Sequence, residues 1–204
     1  MGFLKLFKQR LVFFFLMARI INRDELKSDP RLLLELKKSV FVYPTDTIYG
    51  IGCDAMDAKL VARVREIKIS NEQPFSIIIP NKNLVTSNCE MTPDVKSWLD
   101  KLPGPYTLIL KVKKKFFADN VNNNSGTIGI RIPNNWFYEF IKKMKICVVT
   151  TSANLTGHDF MTRLEDIDDE IEKKVDFIIF DGPLKGRPST IINLAKDAVE
   201  IKER

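Results

Sequence analysis

The chain has 204 residues, of which 45% are hydrophobic and 28% are charged. These values are typical of one globular domain with a substantial core, and the length excludes two full domains. The 32 basic and 26 acidic residues give a formal net charge of +6. A basic balance of this size is compatible with a phosphate-bearing ligand or with RNA, but it does not distinguish between them.

The N-terminal stretch imitates the start of a signal peptide, because basic residues precede the apolar run 11–17. The run is too short to span a bilayer, and no small-residue cleavage pattern follows it. A first strand is predicted over 18–22. We expect residues 1–16 to be an N-terminal extension, either an over-extended translation start or a peripheral appendage, and residues 17–204 to form one domain.

Cysteine and histidine usage argues for an intracellular protein without a histidine-based metal site. The three cysteines, Cys53, Cys89 and Cys147, have no CxxC spacing and cannot all pair. His158 is the only histidine. We therefore expect three reduced thiols, a cytoplasmic location, no membrane association and no protein-bound metal ion.

Helix and strand signals alternate along the chain, with five helices and, after the first strand, about eight further strands. Helices are predicted after Asp29-Pro30, from Asp57, from Thr92-Pro93, through 136–141 and over 164–175. Strands are predicted at 18–22, 40–43, 75–79, 106–112, 127–132, 146–149, 177–180, 189–194 and 199–202. Residues 121–126 are predicted to be a turn or flexible loop, without a helix between strands 106–112 and 127–132. This favours a mixed, partly antiparallel sheet within an α/β fold of the α+β type.

Two segments carry most of the functional signal. Residues 42–52 and 150–157 each pass from an apolar run into hydroxyl residues, glycine and one carboxylate or amide. Glycine lets a backbone approach a ligand closely, and hydroxyl groups both donate and accept hydrogen bonds. Each segment alone is also compatible with an ordinary strand-to-loop turn. Together they predict one site assembled at strand ends from distant parts of the domain.

Further motifs extend the pattern, at 103–107, 126–133, 181–183 and 188–193. In this order they resemble the YrdC-like family of threonylcarbamoyladenylate synthases, over about residues 20–202. The resemblance implies a strongly twisted, mixed and partly antiparallel sheet, flanked by helices around an open basic cavity. A Rossmann glycine motif and a Walker A loop are both absent from the sequence.

The resemblance also implies a reaction. L-threonine, bicarbonate or CO₂, and ATP with Mg²⁺ would give L-threonylcarbamoyladenylate and pyrophosphate. The product would serve the N6-threonylcarbamoyladenosine modification of tRNA, with a separate tRNA-modifying threonylcarbamoyl transferase enzyme as partner and a possible direct contact with tRNA. Because the carbamate attacks a phosphate, no protein nucleophile is required, and positioning and positive charge should provide the catalysis.

Site residues follow from the same resemblance. Those implied for threonine are Thr45, Thr47, Arg131, Thr151 and Ser189. Those implied for ATP are Lys68, Ser70, Thr127, Ser152, Asn154, Lys202 and Arg204. Lys68 and Arg131 are the expected catalytic residues, and Asp46, beside Thr45, would shape its loop or help to hold the metal. The metal is expected to be bound through ATP phosphates.

Two positions depart from the family pattern. The family's Lys-x-Arg pair is Lys68-Ile69-Ser70 here, and the arginine near its C-terminus corresponds to Lys202. Lysine keeps the charge but loses the bidentate fork of arginine. We expect Arg63, Arg65 or Arg187 to compensate.

Two other functions remain open at the level of sequence. The first is a non-catalytic module of the same fold that binds tRNA or double-stranded RNA in its cavity, supported by the charge of +6 and the missing arginine. The second is a carbamoyl-transfer domain of the hydrogenase-maturation kind, which the absence of acylphosphatase and zinc-finger segments disfavours.

Overall fold

In the computed structural model, which describes residues 18–69 and 73–203, the described strands form one ten-stranded sheet. The strands are β1 Arg19–Ile21, β2 Phe41–Tyr43, β3 Gly50–Gly52, β4 Ser76–Ile78, β5 Tyr106–Lys111, β6 Thr127–Arg131, β7 Val148–Ser152, β8 Phe177–Ile179, β9 Thr190–Asn193 and β10 Glu200–Lys202. Their order across the sheet is β1-β8-β2-β3-β7-β4-β6-β5-β9-β10.

Strand pairing confirms the predicted mixed sheet. Among the described residues, β1/β8, β2/β8, β4/β6 and β5/β9 pair in parallel, and the other five neighbouring pairs are antiparallel. β5 and β6 pair antiparallel, as their sequence proximity predicts. The central strands β3, β7, β4, β6 and β5 derive from distant parts of the chain, so their ends bring distant loops together.

The helices cover the sheet. They are α1 Arg23–Ser28, α2 Arg31–Leu36, α3 Ala58–Lys68, α4 Asn83–Asn88, α5 Pro93–Asp100, α6 Asp119–Asn122, α7 Phe137–Met144 and α8 Asp169–Glu172, with a 3₁₀ turn at Leu164–Asp166. The predicted helix starts at Asp57 and Thr92 are confirmed, because each side chain caps its helix by accepting backbone N–H groups. Val61 and Val64 on α3 are fully buried.

The buried apolar side chains form two clusters. One includes residues of α3 and α5 and the inward side chains of the central strands. The other is rich in aromatic rings, among which Tyr43 of β2 stacks on Phe137 of α7 with ring centroids 5.4 Å apart. Helices on both sides hold the strands in a fixed register, and this register positions the loops at their ends.

Two predicted segments differ from the observed elements. The helix predicted over 164–175 is interrupted, because Ile167 is extended and Asp168 caps a new helix by accepting the Glu170 N–H at 2.9 Å. The loop predicted over 121–126 is partly helical, since α6 occupies Asp119–Asn122. The turn signal is correct only for the following residues, where Asn123 has a left-handed backbone.

Other elements were missed or displaced in the sequence prediction. β3 lies in the glycine-rich stretch assigned to a loop, and β7 extends to Ser152 rather than ending at 149. The short helices α1 and α4 were not predicted. The three cysteines are buried and unbridged. The described part of the chain has no helix long and apolar enough to cross a membrane. The predicted extension at residues 1–16 lies outside the described residues.

Candidate functional site

A cavity of roughly 200 Å³ opens at the ends of the central strands. Its described lining residues are Thr45, 48–50, 73–76, Thr107, Arg131, 150–152, Phe160 and 188–189. Arg131 is the charged side chain among its described lining residues. Hydroxyl groups therefore provide much of the polar surface, and the strongly basic lining stays a prediction.

The Thr45–Thr47 turn forms one wall and is held by its own hydroxyl groups. Thr45 Oγ1 lies 2.9 Å from Thr47 Oγ1, donates to the Ile48 carbonyl at 2.6 Å, and accepts the Thr47 N–H at 3.1 Å. Both threonines are buried. This network fixes the backbone of the turn, so the Thr47 hydroxyl has a defined position.

Arg131, at the end of β6, is tied to this turn. Its Nη2 donates to Asp46 Oδ1 at 3.0 Å and to Thr47 Oγ1 at 3.2 Å. The ion pair is almost fully buried, with side-chain exposures of 8% for Arg131 and 10% for Asp46. Burial lowers the pKa of Arg131, while Asp46 acts in the opposite direction. Since arginine stays protonated at any ordinary pH, the site holds a desolvated guanidinium.

Arg131 retains unused capacity for hydrogen bonding. Its Nε is buried without a hydrogen-bond partner in the described structure. An unsatisfied buried donor is costly, and a carboxylate is the acceptor that matches a guanidinium best. Asp46 also accepts the Asn134 N–H at 3.0 Å through Oδ2, so its own position is fixed from two sides. The geometry suits a small ligand with a carboxylate group.

The cavity lining also contains a hydroxyl pair, of which the sequence predicted only one member. Ser189 is buried and its Oγ lies 2.8 Å from Thr107 Oγ1. Thr107 was not selected as a site residue, although it ends the Pro-Gly-Pro-Tyr-Thr motif at 103–107. The parallel pairing of β5 with β9 explains the contact, because it aligns Tyr106 with Thr190 and so brings their neighbours together.

Thr151 and Ser152 of β7 also line the cavity, as the sequence predicted. Glycine allows β3 to approach β7 closely at this point. A Cβ atom on Gly52 would lie 1.9 Å from the Val149 carbonyl oxygen, so a side chain there would push the strands apart. Gly52 therefore permits the close pairing of β3 with β7, the strand that ends in Thr151 and Ser152.

Lys68, the last residue of α3, is buried and contacts Ser152 at the end of β7 and Asn154 just after it. Ser152 lines the cavity, whereas Lys68 is not among the described lining residues. Its Nζ donates to the Ser152 carbonyl at 2.8 Å, to Asn154 Oδ1 at 2.9 Å and to the Asn154 carbonyl. Ser152 Oγ in turn donates to Asn154 Oδ1 at 2.6 Å. Burial lowers the pKa of Lys68 from 10.5 to about 8. A phosphate ligand would have to compete with these three acceptors.

The remaining predicted residues lie outside this cavity or outside the described chain. Thr127 is at the opposite end of β6 from Arg131, about 13 Å away along the strand. Lys202 is exposed on β10, the sheet's edge strand, opposite Ile191 of β9. Ser70 and Arg204 lie outside the described residues. The structure thus brings the threonine-side residues to one cavity, with Thr47 attached to it through Arg131. On the ATP side, Lys68, Ser152 and Asn154 are in contact, whereas Thr127 and Lys202 lie apart from them.

The fold and the cavity define a mixed-sheet α/β domain with a small polar site at its strand ends. The family model Sua5_yciO_yrdC, described as "Telomere recombination", matches residues 36–204. A protein of Methanocaldococcus jannaschii named "Putative threonylcarbamoyl-AMP synthase" is 38% identical over 89% of this chain and 90% of its own length. The chain therefore belongs to the Sua5/YciO/YrdC family.

Two further relatives have solved structures. YciO of Escherichia coli, named as uncharacterized, is 31% identical over 79% of this chain and 80% of its own length. Its crystal structure superimposes with a TM-score of 0.79 over 92% of this chain and 96% of that one. The structure of P. abyssi Sua5 complexed with L-threonine has a TM-score of 0.80 at 23% identity, over 91% of this chain. This chain spans 56% of that Sua5 chain, and at this identity the likeness concerns the fold alone.

Proposed function

We propose that this protein is an L-threonylcarbamoyladenylate synthase, a nucleotidyltransferase that supplies tRNA modification from the cytoplasm. The observation that carries the proposal is the buried guanidinium of Arg131, which lines a cavity rich in hydroxyl groups and is held from behind by Asp46 and Thr47. The name of the Methanocaldococcus jannaschii relative supports the same activity. A threonylcarbamoyl transferase that acts on tRNA would consume the product.

The proposed chemistry has two bond-forming steps. The free amine of L-threonine attacks CO₂, derived from bicarbonate, and loses a proton to give a carbamate. A carbamate oxygen then attacks the α-phosphorus of ATP, and pyrophosphate leaves with the electrons of the broken P–O bond. Both reactants of the second step are anionic, so positioning and charge neutralisation dominate the barrier.

On the threonine side, Arg131 would bind the carboxylate through the N–H groups that Asp46 does not use. Thr47 and Ser189 would orient the amino acid, with Thr45 and Thr151 completing the site. Arg131, Thr45, Thr47 and Ser189 are buried. Arg131, Thr45, Thr151 and Ser189 line the cavity, and Thr47 accepts a hydrogen bond from Arg131. These roles predict a preference for threonine over glycine or alanine, because hydroxyl groups surround the bound amino acid.

On the ATP side, Lys68, Ser152 and Asn154 form one connected network, to which Ser70, Thr127, Lys202 and Arg204 are added by resemblance. Among the described residues, no group of three or more His, Cys, Asp or Glu side chains gathers where it would hold a metal ion. Mg²⁺ is therefore proposed to arrive on the ATP phosphates, where it would neutralise charge on the phosphates and on the leaving pyrophosphate.

The decisive experiment measures pyrophosphate release with ATP, Mg²⁺ and bicarbonate, in the presence of threonine, serine or no amino acid. A synthase releases pyrophosphate with threonine, less with serine, and only at background rate without an amino acid. A binding module would release none and would bind RNA with an affinity that falls steeply with salt. Pyrophosphate release that is independent of the amino acid would refute the proposal.

A further inference from the structure

The segment 181–189 belongs to no strand or helix, and its last two residues line the cavity. Its residues alternate, with Asp181, Pro183, Lys185 and Arg187 exposed and the intervening residues half-buried. Tyr49 anchors its start, because the tyrosine hydroxyl accepts the Asp181 N–H at 3.0 Å and donates to the Gly182 carbonyl at 2.7 Å. Ser189 anchors its end through the Thr107 hydroxyl.

Between these anchors, the segment touches the Thr45–Thr47 turn backbone to backbone. A Cβ atom on Gly186 would lie 2.1 Å from the Thr47 carbonyl oxygen and 2.5 Å from the Thr47 Cα. The glycines with positive φ in the described chain are Gly126, Gly157 and Gly182, so Gly186 is not needed for its own backbone conformation. The close approach to Thr47 requires it instead.

We propose that Gly186 is a positioning residue for the amino acid, acting through Thr47. The inference rests on the proposed function, because it assumes that threonine binds beside Thr47. With any side chain at position 186, the two backbones must separate by about 1 Å. The 3.2 Å contact between Arg131 Nη2 and Thr47 Oγ1 is already at the long end of the hydrogen-bond range, so this displacement would break it.

The test is steady-state kinetics of Gly186→Ala, with pyrophosphate release as the assay. We expect the KM for threonine to rise about tenfold, because one hydrogen bond is lost. The KM for ATP should stay within about twofold of the value for the unaltered protein. Lys185→Ala is the matched control, because its side chain is exposed on the same segment, and it should behave like the unaltered protein. A purely structural role would lower the active fraction, and therefore kcat, without separating the two KM values.

Hydrogen exchange provides a second test that does not need a folded variant. In the unaltered protein, threonine should protect peptides 43–49 and 181–189 together, and ATP alone should not. An unchanged threonine KM in a folded Gly186→Ala, or protection of 43–49 without 181–189, would overturn the inference. Failure of the proposed function is distinguishable, because the unaltered protein would then show neither threonine-dependent pyrophosphate release nor threonine protection.

Discussion

Replacing Arg131 by lysine tests the amino-acid site with the smallest disturbance to the fold. Arg131→Ala would leave the Asp46 carboxylate, only 10% exposed, without its cation, and breaking a buried pair from one side costs about 3–5 kcal/mol. Lysine keeps a positive charge for Asp46. It cannot bind Asp46 and a second carboxylate through separate edges, because it lacks the planar fork of arginine.

The expected effect is on threonine affinity. A hydrogen bond to a charged group contributes about 1.5–3 kcal/mol, so its loss should raise the KM for threonine roughly 10- to 150-fold. The KM for ATP should change little, because the described hydrogen bonds of Arg131 go to Asp46 and Thr47 and not to the Lys68 network. The assay is pyrophosphate release, titrated with threonine at saturating ATP and bicarbonate. Arg131→Ala should lose at least as much threonine affinity as Arg131→Lys, and it should also lose stability.

Arg63→Lys is a suitable control because Arg63 forms the same kind of ion pair away from the cavity. Its Nη1 lies 3.0 Å from Asp176 Oδ2, and the two side chains are 40% and 37% exposed. This variant should keep the threonine KM of the unaltered protein. If Arg131→Lys also keeps it, Arg131 does not hold the carboxylate, and the placement of threonine beside it is refuted.

Lys68→Ala should lower pyrophosphate release at least about tenfold, the size of one phosphate contact, whereas Ser70→Arg should preserve or improve ATP binding. Full activity in Lys68→Ala together with loss of activity in Ser70→Arg would show that the nucleotide does not bind in this region. Burial lowers the pKa of Lys68 to about 8, so it loses its proton above that pH and ATP affinity should then fall; Lys68→Arg, which stays charged, should abolish the fall. An affinity that is flat between about pH 7 and about pH 9.5 in the unaltered protein would contradict this role. Thiol titration under denaturing, non-reducing conditions should find three free thiols, at Cys53, Cys89 and Cys147, and fewer than three would indicate a disulfide.

The features that the sequence predicted well are local. The starts of α3 and α5 follow from Asp57 and Thr92, since a capping side chain acts on backbone groups only two or three residues away. Strand positions follow from continuous apolar runs, although β3 was missed because its glycines are typical of loops. Its strand conformation depends on pairing with β2 and β7, which a local pattern does not contain.

The site depends on contacts between residues far apart in the chain. Asp46 and Arg131 are separated by 85 positions, and Thr107 and Ser189 by 82. The resemblance supplied most of the individual residues. It did not predict which of them contact each other, and it did not select Thr107. The approach of Gly186 to Thr47 has no local signature, because a half-buried glycine in an irregular segment is also typical of an ordinary loop.

Three arginines, Arg63, Arg65 and Arg187, were proposed to replace the arginine of the family's Lys-x-Arg pair, and the structure distinguishes among them. Arg65 is buried, and its guanidinium donates to the backbone carbonyls of Asn120, Val121 and Gln73. Its Cζ lies 4.4 Å from the centroid of the Phe75 ring.

Arg63 is paired with Asp176. Both arginines therefore stabilise the fold, and moving either to a phosphate would break contacts that hold α3 in place. Arg187 differs, because it is exposed on the segment that leads to Ser189. Lys202 is close to the same end of the sheet, since it pairs with Ile191 two residues after Ser189. Of the three proposed arginines, Arg187 is the one with an exposed side chain, which would move without breaking a buried contact. We therefore propose Arg187 as the substitute, with Lys202 as a second positive charge.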